Sequence, residues 1–246
     1  MTTPDLALAA LAVFAGAFVK GVAGLGLPLV AIPLLAWAVG LKQAVALLVL
    51  PMIGSNLVQS FQGGLFLHNL RRFWLLAVTV LVFTLIGTRL LVALPERALA
   101  LAIGVSLVVL PLVIHFRPQL SITTRQRRWA DPLVGAFAGL LGGIAAYYGP
   151  PLMLYVLGMR LAKEEFVAVI SLLYWIAAAG IFVGVYTSSV ASLTLLGFSA
   201  LMLVPAAVGM WLGQHILFRL GEASFRRMLI AVYLATGASF LLRAAF

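Results

Sequence analysis

The sequence predicts an all-α polytopic membrane protein built from two inverted repeats, each a broken-helix hairpin followed by three transmembrane helices. Three observations lead there. Of the 246 residues, 64% are hydrophobic and only 9% are charged, a balance outside that of soluble domains. The apolar residues fall into about eight hydrophobic segments, at 5–39, 42–62, 72–94, 97–115, 132–158, 165–186, 190–216 and 225–245. The two halves of the chain also align with each other at an offset of 118 or 119 residues.

Six of the segments are ordinary spans of about 20 residues, the length that crosses a hydrocarbon core. The first and fifth differ, because glycine and proline interrupt them: GVAGLGLPLVAIP runs from Gly21 to Pro33, and GLLGGIAAYYGPP from Gly139 to Pro151. Drawn as one straight helix, residues 5–39 would extend about 52 Å, against a core of about 30 Å. The chain is therefore expected to turn back at the glycines. The first stretch has no basic region ahead of it and carries Asp5, so it is expected to be retained rather than cleaved as a signal peptide.

Charge counting tests whether the second broken segment returns to its own side. If it does, Arg71, Arg72, Arg117, Arg125, Arg127, Arg128, Arg160, Lys163, Arg219, Arg226 and Arg227 share one face, eleven against Lys42, Arg97 and Arg243 opposite. If it crosses, the same residues divide seven to seven. The positive-inside rule favours the hairpin, with the arginine-rich face cytoplasmic and both termini on the outer side of the plasma (inner) membrane.

The repeat shows in particular residues. Gly16–Phe18 recurs at Gly135–Phe137, and PLLAWAVGLK from Pro33 to Lys42 matches PLMLYVLGMR from Pro151 to Arg160. Each half is then a broken hairpin plus three spans, and three crossings make the halves inverted, an arrangement typical of secondary transporters. The organisation that follows is 1–116 for the first repeat, 117–131 for a basic cytoplasmic connecting loop, and 132–246 for the second repeat.

The glycine-rich GVAGLGLPLVAIPLL, the second-half GLLGGIAAYYGPPLMLYVLG and the following RLAKEEFVAVISLLYW together resemble the TauE/SafE family of sulfite and organosulfur anion exporters, also called the 4-toluene sulfonate uptake permease family. The resemblance runs nearly end to end. Leu25, Leu27 and Leu29 stand where many members have consecutive glycines, and Val169 and Ile170 precede Ser171 where small hydroxyl residues are frequent. The resemblance implies a secondary transporter, permease or exporter, for small sulfur-containing anions such as sulfite or sulfonates.

The residues themselves point to an anion site. A broken helix exposes unpaired N–H groups at the N-terminus of its second arm, where anions are attracted. Gly24, Gly26 and Pro28 would open the first such arm, and Gly149 and Pro150 the second. Alternatively, these glycines allow helices to approach closely. Lys20 stands just before the first break with no acid near it in sequence; it either neutralises an anion or snorkels to an interface. Asn56 and Gln59 share a helix face, as do Ser171 and Tyr174. These pairs could supply neutral donors, with Tyr147, Tyr148 and Trp175 shaping the pocket, or could serve only as interhelical hydrogen bonds.

The six acidic residues, Asp5, Glu96, Asp131, Glu164, Glu165 and Glu222, all lie at the ends of apolar runs. With no carboxylate mid-span to carry a proton or cation, the expectation is uncoupled anion movement down its electrochemical gradient. An intramembrane enzyme needs a nucleophile–base pair or metal ligands. His68, His115 and His215 lie near span ends and there is no cysteine, so neither an enzyme nor a metal site is expected. The net charge of +10 belongs to short interhelical gaps and predicts contact with the lipid bilayer rather than nucleic acid. No cofactor is expected. Helix faces rich in glycine and alanine suit a homodimer. An anion channel, or a carrier for another small organic anion, is the alternative reading.

Overall fold

Helix breaks fall where glycine and proline chemistry puts them. In the computed structural model of the protein, residues 3–23, 26–61, 64–116, 122–188, 191–217 and 222–245 are described, and among them there is no β-strand. The first half comprises α1 (Thr3–Ala23), α2 (Leu27–Val39), α3 (Leu41–Ser60), a short α4 (Phe66–Arg72), α5 (Trp74–Ala93) and α6 (Glu96–Phe116). The second comprises α7 (Thr124–Ala145), α8 (Gly149–Leu157), α9 (Lys163–Tyr186), α10 (Leu193–Leu201), α11 (Leu203–Leu217) and α12 (Glu222–Ala245). Five stretches among the described residues are long and apolar enough to cross a membrane.

At the first break Gly26 takes φ 117° and precedes α2, whose second residue is Pro28. A proline there forfeits no helical hydrogen bond, and only glycine adopts that φ without strain. At the second break Ala146 turns the chain at φ 59°, its N–H donating to Gly142 O at 2.6 Å. The arms of each hairpin are unequal. With 21 residues, α1 is about 31 Å long at 1.5 Å per residue, so the first arm is a full-length helix rather than a half-helix.

Two expectations need correction. The break in GLLGGIAAYYGPP is confined to Ala146–Tyr148, and Gly139, Gly142 and Gly143 are helical. They serve packing: a Cβ at Gly143 would lie 2.3 Å from Thr84 O, and one at Gly139 2.7 Å from Val80 O. The connecting segment 117–131 is likewise helical from Thr124 onward. Thr123 caps that helix, with the Gln126 carboxamide accepting from its backbone N–H at 2.9 Å, the glutamine arm of a capping box.

The same close-approach logic organises the bundle. On the α1–α11 crossing, a Cβ at Gly21 would lie 2.4 Å from Met210 O and one at Gly213 2.2 Å from Phe18 O. On α5–α7 the glycines are Gly87, Gly135, Gly139 and Gly143. In lipid, helices associate through such close packing because there is no hydrophobic gain between them. Exchanging α1 with α7, α2 with α8, α3 with α9, α4 with α10, α5 with α11 and α6 with α12 maps nearly every helix–helix contact onto another. Thus α1 on α11 becomes α7 on α5, while α3 on α9 and α6 on α12 map onto themselves.

Charged and backbone contacts distinguish the two ends of the bundle. At one, Ile122 N–H donates to Gly158 O at 2.9 Å, Arg72 pairs with Glu165, and Arg127 reaches both Arg72 O at 2.9 Å and Asp131 at 3.2 Å. The α7–α8 hairpin therefore returns to the end it left. Arg127 also lies over the buried Phe73 ring at 4.4 Å, and the Tyr155 hydroxyl donates to Asp131. At the opposite end Lys42 donates to Val92 O at 2.7 Å and Leu41 N–H to Glu96 at 3.3 Å.

Prolines inside helices free a carbonyl four residues back. Pro33 does this to Leu29, whose carbonyl accepts instead from the buried Thr236 hydroxyl of α12 at 2.9 Å. Beside Pro51, Leu50 N–H donates to Ser199 Oγ at 3.2 Å and Tyr186 donates to Ala46 O at 3.5 Å. Partners from α9 and α10 thereby hold α3 where its own ladder opens.

Candidate functional site

Both helix breaks open onto one cavity. It is a small cavity, about 20 Å³, lined by Lys20, Gly26, Leu27, Pro28, Leu29, Met52, Asn56, Ala146, Tyr147, Tyr148, Gly149, Pro150 and Tyr174. No carboxylate is among the lining residues. α1 and α2 supply the first group, α3 the Met52–Asn56 turn, and the α7–α8 break and α9 the tyrosines.

Lys20 is 2% exposed, so its reach to an interface is closed off and it does not snorkel. Its Nζ donates to Asn56 Oδ1 at 2.5 Å. The Asn56 amide is itself held by its Nδ2, which donates to Met52 O at 2.8 Å. This second bond fixes the oxygen toward the ammonium. An ammonium has three donors, so the bond to Asn56 leaves capacity for an anion in the cavity. α2 adds to the positive potential: the N–H groups of its first turn, at Leu27 and Leu29, precede the helical ladder, whose first bond runs from Val30 to Gly26 O at 3.2 Å.

The second break presents different chemistry. Pro150 and Pro151 have no N–H, so the first turn of α8 offers few backbone donors. Hydroxyls take their place. Tyr174 donates to Gly149 O at 3.1 Å and tilts over Tyr148 at 4.8 Å between ring centroids, while Tyr148 OH lies 3.7 Å from Met52 Sδ. Tyr147 packs edge-on against Phe240 of α12 at 6.0 Å. One side of the cavity is thus cationic and amide-rich, and the other aromatic and hydroxyl-rich.

The α3–α9 crossing sets where these groups meet. Ser171 pairs with Gln59 and Tyr186 with Ala46, so the helices run antiparallel. That register sets Asn56 and Tyr174, which the sequence repeat equates, at one level, a turn or less from the Gln59–Ser171 pair. Gln59, Ser171 and Trp175 do not line the cavity; they lie one turn or less beyond it, where Ser171 Oγ donates to Gln59 Oε1 at 3.4 Å and Trp175 meets Phe66 edge-on at 6.3 Å. Gly24 lies outside the described residues. Leu27, Leu29, Met52 and Ala146 line the cavity without having been singled out from sequence. Met52 could have been found, since it stands one helical turn before Asn56 on the same face. Ala146 could not, because nothing local marks an alanine for a left-handed conformation.

A family model described as Sulfite exporter TauE/SafE matches residues 8–240 of the chain. No curated protein and no solved structure matches it.

Proposed function

The chain belongs to the sulfite exporter TauE/SafE family, and from that premise we propose that it is a secondary transporter moving small sulfur-containing anions, such as sulfite or simple organosulfonates, by alternating access around the cavity between its two helix breaks. The observation that carries this reading is the buried Lys20 ammonium facing a cavity without a carboxylate. A cation desolvated in a bilayer is expensive unless it is matched, and an oxyanion is the match. Its oxygens would accept from Lys20, from the α2 N–H groups and from the Tyr174 and Tyr148 hydroxyls once these turn from Gly149 O and Met52 Sδ.

The reciprocal helix contacts support two structurally equivalent halves, as expected of inverted repeats that rock about a central site. The acids nearest the charged end are engaged elsewhere: Asp131 with Arg127 and Tyr155, and Glu165 with Arg72. Transport is then uncoupled, and a membrane negative inside drives anions outward by about 2.3 kcal/mol per charge per 100 mV. The arginine-bearing end is cytoplasmic in this reading, with both termini outside.

The test is uptake of labelled sulfite and of a simple sulfonate into proteoliposomes under imposed potentials. Saturable, counterflow-capable flux that follows voltage is expected. Flux that instead tracks an imposed proton or sodium gradient refutes the uncoupled mechanism, and the absence of flux for either anion refutes the substrate class.

A further inference from the structure

We propose that a second anion subsite lies where α4 packs on α9, one step from the central cavity toward the arginine-bearing end, with Asn69 as its principal ligand and the Gln59–Ser171 pair of the α3–α9 crossing as the step between. The identity of the passenger rests on the transport reading above; the existence of the subsite does not.

Asn69 is fully buried, and among the described residues neither its Oδ1 nor its Nδ2 has a hydrogen-bond partner. Buried amides are nearly always satisfied, and leaving both ends of one unpaired is unfavourable. Leucine, of similar size, would fill the same space without that penalty. Asparagine here is accounted for if its partner is a passing solute.

Two contacts locate it. On α4, Phe66 packs against Trp175 of α9 at 6.3 Å, and Arg72 pairs with Glu165 at the start of the same helix. Asn69 is one turn from each, so it stands alongside α9 between Trp175 and Glu165, at the level of Ser171. Ser171 meets Gln59, and Gln59 is one turn beyond Asn56 on α3. Polar groups therefore run from Lys20 and Asn56 through Gln59, Ser171 and Asn69 to Arg72. In the other direction from the cavity Val49 and Ala46 on α3 and Ala178 and Ile181 on α9 are apolar and buried, and the Tyr186 hydroxyl beyond them is engaged by Ala46 O. The run leads to one end only. Among the described residues it meets no carboxylate before Glu165, which Arg72 already neutralises. This suits a partly hydrated oxyanion, which the amide can serve as donor and as acceptor.

The chain contains no cysteine, so Asn69→Cys in the full-length protein in proteoliposomes places a single thiol at the subsite. Labelling would compare an anionic methanethiosulfonate carrying an ethylsulfonate with its cationic trimethylammonium counterpart, each rate normalised to a free thiol in water. Ethanesulfonate serves as the protecting anion, since sulfite would consume the reagent. The expected result is labelling about tenfold faster by the anionic reagent, as an electropositive route selects, slowed by ethanesulfonate, with Ala178→Cys unreactive. No labelling, or no preference for the anion, overturns the subsite. Anion-selective labelling without protection upholds the subsite and refutes the sulfur-anion passenger. Asn69→Leu gives an independent readout: a raised melting temperature with transport slowed roughly tenfold is expected from replacing a solute-binding amide. Unchanged transport in that variant overturns the proposal.

Discussion

Replacing Lys20 by methionine removes the one charge that lines the central cavity while keeping most of the side chain's volume. The magnitude follows from the geometry. An ammonium and a monoanion about 4 Å apart attract by about 4 kcal/mol at an effective dielectric of about 20. Asn56 Oδ1, at 2.5 Å, already accepts a hydrogen bond from the ammonium, and the α2 N–H groups and tyrosine hydroxyls remain in the variant. A loss of about 2–3 kcal/mol is therefore expected, which raises the half-saturating anion concentration roughly 30- to 150-fold at 1.4 kcal/mol per decade. The assay is concentration-dependent flux of labelled sulfite in proteoliposomes at zero potential, with Lys20→Arg as the charge-retaining control. The fold should tolerate the change: Asn56 loses one partner but keeps Met52 O at 2.8 Å, and the burial of a charge is relieved. Lys20→Met with native half-saturation and native flux would show that the ammonium does not touch the anion, and the reasoning would fail.

Further expectations concern backbone, packing and the charged end. Gly26→Ala forces a side chain into φ 117° with Val19 Cγ1 at 3.2 Å; a left-handed conformation disfavours alanine by about 1–2 kcal/mol, so a lower melting temperature and slower transport should appear together. Gly143→Ala would set a Cβ 2.3 Å from Thr84 O, whereas Gly197 has nothing within 4 Å of its Cβ position. Thermal unfolding in detergent should show a large loss for the first and almost none for Gly197→Ala. Asp131→Ala leaves Arg127, whose side chain is 14% exposed, with Arg72 O but no carboxylate partner and Tyr155 without its acceptor. A loss of about 3 kcal/mol or more is expected from breaking such a buried pair, read as a depressed melting temperature.

Much of the fold was legible because its signals are local. Glycine and proline act on their own residues and immediate neighbours, so Gly26–Pro28 and Gly149–Pro151 mark helix starts whatever surrounds them. Lys20 stood out because a cation within an apolar stretch requires explanation in any fold. Span lengths came from the bilayer itself, and the return of the second hairpin from the distribution of arginines. The extent of helix around Gly139–Gly143 was not legible, since a glycine reads alike whether it breaks a helix or lets another backbone approach. The helical start of α7 was missed for a similar reason: Thr123 and Gln126 form a capping motif within a segment whose charges suggested only a loop.

The sequence by itself determined that the chain is a bundle of apolar helices, two of them interrupted, with the Lys20 cation beside one interruption. The tertiary structure alone decided that α1 packs on α11 and α5 on α7, and that both breaks face one cavity. It also set Gln59, Ser171 and Trp175 just outside that cavity. The physical reason is the solvent. In water an apolar stripe reveals which face of a helix is buried, but in lipid every face is apolar, and partners are chosen by close backbone approach and by a few polar contacts whose pairing no single helix encodes.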